Sequence, residues 1–371
     1  MKTLLPNLRC RFFCLFLCRL FLFSVLPLGA RVQAAPPALH VAGTRLEDDR
    51  GRAVRLQGVN LPSLEWTDGG DNLLKSVRVA ADTWHASLIR LPLSQDRWFG
   101  RAGGQRDGGA QYRALVDSVV QSLSGRNKYV LLDLHWSDGG IWGQHIAQHS
   151  LPDDNSVLFW KDAAARYADN PAVLFDLYNE PRDVTWDVWQ HGGTVAEHNQ
   201  DARRGAFLSY HSPGMQGVLD AVRATGAKNV VVVGGLDWAY DLTGIVDGHA
   251  LADGDGHGIL YATHLYPWKK DWDTHVTPAA EKYAVFVGEV GCEPDRPNTP
   301  AWQKSDPYTW APEALAYINK HQFSWTAWSF HPSAGPSLIS GWNYAPTPYW
   351  GAFVQKALAP VPRKQKSLER P

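Results

Sequence analysis

The chain has 371 residues, of which 44% are hydrophobic and 20% charged, and its formal charge at pH 7 is −1. This is the composition of a globular protein with a large core, and single-domain α/β barrels reach this length. The chain lacks the basic excess that nucleic acids and anionic membranes attract, so neither is an expected partner.

Residues 1–34 differ from the rest of the chain. They carry five basic residues and no acid, a Phe- and Leu-rich middle, and a small-x-small ending at Val32-Gln33-Ala34. This pattern predicts a secretory signal peptide and a secreted protein, extracellular or periplasmic. The alternative is a retained membrane anchor, but Arg19 interrupts the apolar run. Once the signal is removed, no membrane association is expected.

Removing this segment changes both charge and cysteine content. It leaves 31 basic against 37 acidic residues, a formal charge of −6, and Cys292 as the sole cysteine. A mature monomer, which we expect, can therefore form no internal disulfide. We expect the catalytic domain to span 35–360 and the basic tail 361–371 to be flexible.

Eight short strand-like runs follow in the mature chain, separated by helix-compatible stretches. Apolar strands that alternate with helices predict a parallel sheet, and eight such units predict a (β/α)₈ TIM barrel. An open doubly wound sheet is the alternative, but the first run is followed by no Gly-rich phosphate turn. The runs cover residues 54–60, 87–93, 129–135, 172–180, 229–235, 259–266, 284–291 and 323–330.

Ahead of the first unit, the sequence predicts a short N-terminal β-hairpin with its turn near Asp49 to Gly51. We expect this hairpin to close the N-terminal end of the barrel.

The ends of six strand-like runs carry the residues that we consider functional. In a barrel of this kind, the active site forms at the carboxyl ends of the strands. Burying polar groups there without partners costs several kcal/mol, so we expect them to pair with one another. They are Arg90, His135, Asn179, Glu180, His264, Tyr266, Glu289 and Trp328.

Glu180 and Glu289 are the candidate catalytic pair. They lie three strands apart, so they can face each other across the barrel mouth, and paired carboxylates are what glycosidic bond cleavage requires. We expect Arg90 and Tyr266 to hydrogen-bond Glu289 and keep it ionised. The charge of Glu289 would then help to raise the pKa of Glu180, the acid/base.

The remaining strand-end residues have supporting roles in this interpretation. We expect Asn179 to hold the 2-hydroxyl of the sugar, a contact that strengthens in the transition state. We expect Trp328 to form the floor of that sugar's subsite, while His135 and His264 complete the polar set.

Tryptophan is unusually frequent, with 17 residues, many beside Gly, Pro or Asp. Sugar rings stack their C–H faces on flat aromatic surfaces, so tryptophans in loops are candidate sugar platforms. Packing in the core is the alternative for each of them. The candidates are Trp66, Trp136, Trp142 and Trp268.

No metal or cofactor is expected. His145 and His149 have helical spacing, but the Glu of a zinc protease and a third ligand are missing. The loop 253–258 imitates a calcium loop only in part, because His264 stands where a Glu is required.

These strand-end motifs resemble those of glycoside hydrolase family 5, the cellulase family of the retaining eight-stranded-barrel clan, over roughly residues 38–358. The resemblance implies a TIM barrel in which Glu180 is the acid/base and Glu289 the nucleophile. It also implies supporting roles for the Arg, His, Asn, Tyr and Trp positions. The matching motifs are "IRLP", "LDLH", "LYNEP", "THLY", "VGEVG" and "AWSF".

The functional hypothesis is a secreted retaining endo-β-glycanase that hydrolyses β-1,4-glucan, with a polysaccharide or oligosaccharide as its partner. The same chemistry on β-mannan, xyloglucan or β-1,3-glucan remains open. A non-catalytic carbohydrate-binding protein is a further alternative, although such a protein would be expected to lose a glutamate or the Arg and Tyr that support it.

Overall fold

The computed structural model describes residues 35–198 and 207–360. The predicted signal peptide at 1–34 and the basic tail at 361–371 lie outside the described residues. Within the described ranges, no helix has the length and apolar character needed to span a lipid bilayer.

Eight parallel strands close into a barrel. Each of the eight strand-like runs supplies one barrel strand, so the predicted (β/α)₈ architecture is confirmed. The barrel strands are β3 Gln57–Asn60, β4 Leu88–Ser94, β5 Tyr129–Trp136, β6 Val173–Asp176, β9 Val231–Gly234, β10 Ile259–Leu265, β11 Val285–Val290 and β12 Ser324–Ala327. Around the barrel they follow the order β10-β11-β12-β3-β4-β5-β6-β9.

The longer helices cover the outside of the barrel and bury their apolar faces against it. In α4, for example, Asp153 and Ser156 form a capping box at the N-terminus, and Phe159, Trp160 and Ala163 are buried. The helices are α1 Leu73–Arg78, α2 Gln95–Trp98, α3 Ala110–Ser124, α4 Asp154–Tyr167, α5 Trp186–His191, α6 Gly214–Arg223, α7 Leu236–Ala239, α8 Trp272–His275, α9 Thr277–Ala280, α10 Pro307–Lys320 and α11 Gly351–Leu358.

An N-terminal hairpin is present, but its turn lies elsewhere than predicted. Strands β1 (Leu39–Ala42) and β2 (Arg45–Asp48) pair through a turn at Gly43, whose φ of 60° favours glycine. The predicted turn at Asp49–Gly51 follows β2 and is a separate one. There the Asp48 carboxylate accepts hydrogen bonds from the backbone of Arg50 and Arg52.

The hairpin closes the N-terminal end of the barrel, as predicted. Leu39 and Leu46 belong to an apolar cluster with side chains from the barrel interior, among them Leu131 and Leu174. This cluster fills the bottom of the barrel and leaves the opposite mouth to the polar side chains.

A second antiparallel hairpin, β7 (Gly193–His198) and β8 (Phe207–Ser212), lies between α5 and α6 and was not predicted. Alternate side chains on both strands are buried. The sequence hides this alternation, because polar residues, Glu197 and Ser212, occupy two of the inward positions.

A buried acidic cluster joins α2, the loop after β5 and the start of α4. Asp138 accepts hydrogen bonds from Gln95, Gly140 and Asn155, and Asp153 accepts from Gln95 and Gly140. Burial, together with the neighbouring charge of Asp153, raises the pKa of Asp138 to about 9. Asp138 therefore keeps its proton in the folded protein at neutral pH.

Truncation of the closing hairpin is expected to lower stability. Leu46 is 4% exposed, so Leu46→Ala removes buried methyl groups and leaves a cavity. We expect a loss of about 2–4 kcal/mol in the free energy of unfolding, measured by urea titration. Leu158→Ala, at a leucine that is 48% exposed, should change it by less than about 0.5 kcal/mol. Equal losses in the two variants would contradict the closing role of Leu46.

The acidic cluster is expected to make stability depend on pH. The folded chain binds the Asp138 proton more tightly than the unfolded chain, so the unfolding free energy falls as pH rises from about 4. The fall continues to a pH of about 9, where folded Asp138 ionises. Asp138→Asn should reduce this slope by up to about 1.4 kcal/mol per pH unit. In urea titrations across this range, Asp154→Asn, which removes an exposed carboxylate, serves as control, and an unchanged slope in Asp138→Asn would refute the assignment.

Candidate active site

The polar strand-end side chains meet at the C-terminal mouth of the barrel, around a cleft of about 330 Å³. Of the residues predicted from sequence, six line this cleft: His135, Glu180, Tyr266, Trp268, Glu289 and Trp328. Arg90, Asn179 and His264 lie immediately behind it and contact the lining residues.

Arg90, on β4, is the centre of the hydrogen-bond network. Its guanidinium is fully buried and donates to Asn60, Asp176, Asn179 and Glu289 over 2.8–3.0 Å. Burial alone would lower the pKa of this arginine, but the surrounding carboxylates raise it above its ordinary value. Arg90 therefore supplies a fixed positive charge beneath the cleft.

Asp133 and Asp176 lie beside this charge on neighbouring strands. One Oδ of Asp133 lies 3.1 Å from Arg90 Nη2, and Asp176 accepts from Arg90 Nε. Burial raises the pKa of each carboxyl to about 7, and the attraction of Arg90 opposes that rise.

Asn179 and His135 continue the network in one consistent orientation. Asn179 Oδ1 accepts from Arg90, so its amide nitrogen can donate to His135 Nε2 at 3.3 Å. His135 Nδ1 then donates to Asp133 Oδ2 at 2.6 Å. Burial lowers the pKa of His135 to about 4, which agrees with this neutral tautomer. One amide hydrogen of Asn179 remains for a ligand.

Glu289, at the end of β11, is held by strong donors on both oxygens. Oε1 accepts from Arg90 Nη1 at 2.9 Å, and Oε2 accepts from the Tyr266 hydroxyl. Burial raises the pKa of Tyr266 well above its ordinary value, so its hydroxyl remains a donor. Two donors of this kind favour a carboxylate anion whose position is fixed.

Glu180 has a different environment. It follows β6 with a left-handed φ of 51°, and its side chain is 13% exposed, against 4% for Glu289. Burial raises its pKa, while a hydrogen bond from Gln148 Nε2 to Oε2 lowers it. The leading cause of the raised pKa is therefore desolvation, and not the charge of Glu289 that the sequence pattern predicts.

His264 connects the two glutamates. Its Nδ1 lies 3.0 Å from Glu180 Oε1 and 3.7 Å from Glu289 Oε2. A register shift in β10 before His264 pairs it with Glu289 on β11. Gly288 leaves the space that this ring needs, since a Cβ there would lie 2.7 Å from His264 Nε2. Burial lowers the pKa of His264 to about 3, so the ring is neutral.

These three residues are also the group with metal-ligand geometry among the described residues. One donor atom from each of Glu180, His264 and Glu289 lies within 4.8 Å of the other two. Glu289 is, however, already bound to the Arg90 cation, and a metal ion there would lie beside a fixed positive charge. The same 4.8 Å limit means that the two carboxyl groups face each other across a narrow gap.

Three tryptophans line the cleft, and the ring of each is contacted by a neighbouring side chain. Trp328 stacks on His135 at 5.5 Å and Trp268 on Tyr266 at 4.9 Å. The third, Trp238, has the guanidinium of Arg182 over its ring at 4.0 Å. The stacking partners hold the three rings in place at the cleft wall.

The other tryptophan candidates do not line this cleft. Trp66 donates to Asp71 and makes an edge contact with His331. Trp142 packs edge-on against Phe99, with Arg101 near its ring. Trp136 is half-buried at the end of β5.

Sequence reasoning missed five residues of the cleft wall, namely Gln148, Trp238, Lys269, Gly335 and Pro336. Trp238 depends on a left-handed turn, with φ of 54° at Asp237 and 63° at Trp238, and non-glycine residues rarely adopt such values. Lys269 adjoins the predicted Trp268 and donates to the Asp237 carbonyl at 2.7 Å. Its position next to the "THLY" strand end was a usable signal, whereas Gln148 offered none.

A family model described as "Cellulase (glycosyl hydrolase family 5)" matches residues 47–334. Among curated proteins, endoglucanase MaCel5A of Microbulbifer sp. (strain ALW1) is 25% identical over 314 residues, which are 82% of this chain and 53% of that protein. An endoglucanase of Paenibacillus polymyxa is 22% identical over 376 residues, 87% of each chain. The chain spans about half the length of several curated relatives, MaCel5A among them.

Among solved structures, β-glucanase SdGluc5_26A of Saccharophagus degradans in complex with cellotetraose superposes with a TM-score of 0.68 at 23% identity, covering 88% of this chain and 94% of that one. The catalytic domain of the major endoglucanase of Xanthomonas campestris pv. campestris gives 0.63 at 19% identity, covering 86% and 99%. At this level of identity, the two likenesses show a shared barrel fold.

Proposed function

Because the chain belongs to glycosyl hydrolase family 5, we propose that it hydrolyses a β-glucan by double displacement, with Glu180 as acid/base and Glu289 as nucleophile. The observation that carries this proposal is the difference between the environments of the two facing carboxyl groups. Glu289 is bound by a buried guanidinium and a phenol, which favour its anion. Glu180 has a pKa raised by burial, which favours the protonated form.

The separation of the carboxyl groups supports retention of configuration. Retaining glycosidases keep the two groups about 5–5.5 Å apart, because the nucleophile must reach the anomeric carbon without an intervening water. Inverting enzymes need about 6.5–9.5 Å. One carboxylate oxygen of Glu180 lies within 4.8 Å of one carboxylate oxygen of Glu289, and this short distance favours the retaining arrangement.

In the first step, a Glu289 oxygen attacks the anomeric carbon as the bond to the leaving oxygen breaks, and Glu180 gives its proton to that oxygen. A covalent glycosyl ester on Glu289 and a shortened glucan result. In the second step, Glu180, now a carboxylate, takes a proton from water. The water oxygen attacks the anomeric carbon, the ester bond breaks, and Glu289 and protonated Glu180 are regenerated.

The surrounding residues support both steps without changing charge. His135 and His264 are neutral, so neither competes with Glu180 as the proton donor at neutral pH. The free amide hydrogen of Asn179 is available for the 2-hydroxyl of the reacting sugar. Trp328 provides a flat surface beside it, backed by His135.

The substrate class that we favour is a β-1,4-glucan. Relatives are named endoglucanases, and the similar β-glucanase SdGluc5_26A was solved with cellotetraose. Three tryptophans on the cleft wall suit a chain of pyranose rings. β-Mannan, xyloglucan and β-1,3-glucan are the alternative substrates with the same chemistry.

Secretion is part of the proposal. A polymeric glucan is degraded outside the cytoplasm, and residues 1–34 have the composition of a signal peptide. We therefore place the mature enzyme in the extracellular or periplasmic space, acting as a monomer without a cofactor.

Substitution of either glutamate should separate the two roles. On soluble glucan, Glu180→Gln and Glu289→Gln should each lower kcat/KM by about 10³-fold or more, since each removes one partner of the chemistry. On an aryl β-cellobioside with a good leaving group, Glu180→Gln should still form the covalent intermediate, because that step no longer needs an acid. A burst of released phenol measures it.

Glu289→Gln should show no burst with the same aryl glycoside, because the attacking carboxylate is gone. Circular dichroism and thermal unfolding of both variants serve as controls for the fold. If Glu289→Gln gave the burst and Glu180→Gln did not, the two assignments would be exchanged. Full activity of either variant on glucan would refute the site.

Retention of configuration is the second expectation. Proton NMR of early hydrolysis products should show the β-anomer first, followed by mutarotation to the α-anomer. The assay is run with a panel of soluble β-1,4-glucan, β-mannan, xyloglucan and β-1,3-glucan, and reducing ends are counted for each. An initial α-product would contradict double displacement. If another polymer released reducing ends faster than β-1,4-glucan, that polymer would be assigned as the substrate.

A further inference from the structure

Among the described residues, two side chains hydrogen-bond the carboxyl group of Glu180, and one of the two belongs to a barrel strand. His264 lies on β10, whereas Gln148 lies in the loop that follows β5. A hydrogen bond from a flexible side chain in a loop is useful only if the loop itself is fixed. The contacts of residues 147–151 show how this is achieved.

The start of this loop segment is fixed to the barrel. Ala147 and Ser137 exchange backbone hydrogen bonds of 2.9 and 3.0 Å. Arg182, two residues after Glu180, donates to the carbonyl of Gln148 at 2.6 Å and to that of His149 at 2.8 Å. The backbone of Gln148 is thereby tied to the segment that carries Glu180.

The end of the segment is fixed by the β7–β8 hairpin. Glu197 on β7 accepts from the Ser150 backbone at 2.7 Å and from His149 Nδ1. The other ring nitrogen of His149 lies 2.6 Å from the carbonyl of His145. Both ring nitrogens of His149 therefore lie beside oxygen acceptors, which fixes the orientation of the ring against Glu197.

β8 adds a second attachment. The Tyr210 hydroxyl donates to the carbonyl of Leu151 at 2.9 Å and accepts from its backbone N–H at 3.0 Å. Tyr210 also makes an edge contact with the His149 ring. Leu208 packs so closely over Gly139 that a Cβ there would lie 2.5 Å from it. Both strands of the β7–β8 hairpin therefore contact this loop and fix its position.

We propose that Gln148 and Glu197 are positioning residues for the acid/base: Glu197 fixes residues 149–150, and this keeps Gln148 hydrogen-bonded to Glu180. The proposal rests on the proposed function for the role of Glu180. Gln148 donates to the carboxylate form, so it favours the deprotonated state that must accept a proton from water in the second step. Loss of the hydrogen bond leaves Glu180 protonated to a higher pH.

Charged and titratable groups near Glu180 also affect its protonation. Gln148 is uncharged, so its replacement changes a hydrogen bond and leaves the charges in place. The titratable or charged groups that face Glu180 or adjoin it are Arg90, Asp133, His135, Arg182, His264, Tyr266, Lys269 and Glu289.

The test is the pH profile of kcat/KM on soluble β-glucan. Activity is lost as pH rises through the pKa of Glu180. Gln148→Met keeps the size of the side chain and removes its donor, so this alkaline limb should move up by about 0.5–1 pH unit, with kcat lowered about three- to tenfold. Glu197→Ala should move the limb in the same direction.

A double variant tests whether the two residues act in one chain. Gln148→Met combined with Glu197→Ala should move the limb no further than Gln148→Met alone. Glu197→Gln, which keeps an acceptor for Ser150 but not the charge, should give a smaller shift and replaces Glu197→Ala if that variant does not fold. Thr194→Ala, at an exposed position of β7, should leave the profile unchanged.

Other outcomes would overturn the proposal. An unchanged limb in Gln148→Met refutes the role of Gln148. Additive shifts in the double variant, or a uniform loss of activity at every pH in Glu197→Ala, would show that Glu197 only stabilises the fold. If the wild type hydrolyses no β-glucan, the proposed function fails. The ¹³C NMR titration of labelled glutamate carboxyls, with Glu180 assigned from Glu180→Gln, still tests the inference without any substrate.

Discussion

One buried guanidinium determines how the barrel mouth is organised. Arg90 is fully buried, and such a charge is tolerated only when partners satisfy its donors. Its partners lie on β3, β5, β6 and β11 and on the segment that follows β6. Together with β4, which carries Arg90, these are five of the eight barrel strands. The carboxylate that it fixes most directly toward the cleft is Glu289. The proposed nucleophile is thus positioned by the same guanidinium that pairs the polar groups inside the mouth.

The two glutamates have different environments because one lies within a barrel strand and the other lies after the end of a strand. Glu289 is still within β11, where the strand fixes its backbone, and its oxygens meet Arg90 and Tyr266. Glu180 emerges after β6 has ended, at a left-handed φ of 51°, and its side chain is the more exposed of the two. A carboxyl that gives and takes a proton needs this access to the cleft, whereas a nucleophile needs a fixed charge.

The sequence was sufficient to predict the barrel and the groups at its mouth, because strand periodicity and strand ends are local signals. The hydrogen bonds from Arg90 and Tyr266 to Glu289 were also predictable, because all three residues belong to strand-end motifs. The basis of the Glu180 pKa was predicted incompletely, since desolvation depends on packing that no motif encodes. Gln148 and Trp238 were missed because a loop contact and a left-handed turn in non-glycine residues bring them to the cleft.

The division between strands and loops has a consequence for how such a site can vary. Contacts to Glu289 come from strand-end residues whose replacement would leave a buried charge or donor unpaired. The loop contact to Glu180 comes from Gln148, whose backbone is held by Arg182, while Glu197 on an inserted hairpin holds the next two residues. On the proposed roles, changes in the hairpin can therefore alter the protonation of Glu180 while Arg90 and Tyr266 continue to hydrogen-bond Glu289. Under the proposed mechanism, the pH range of hydrolysis is more open to adjustment than the covalent step.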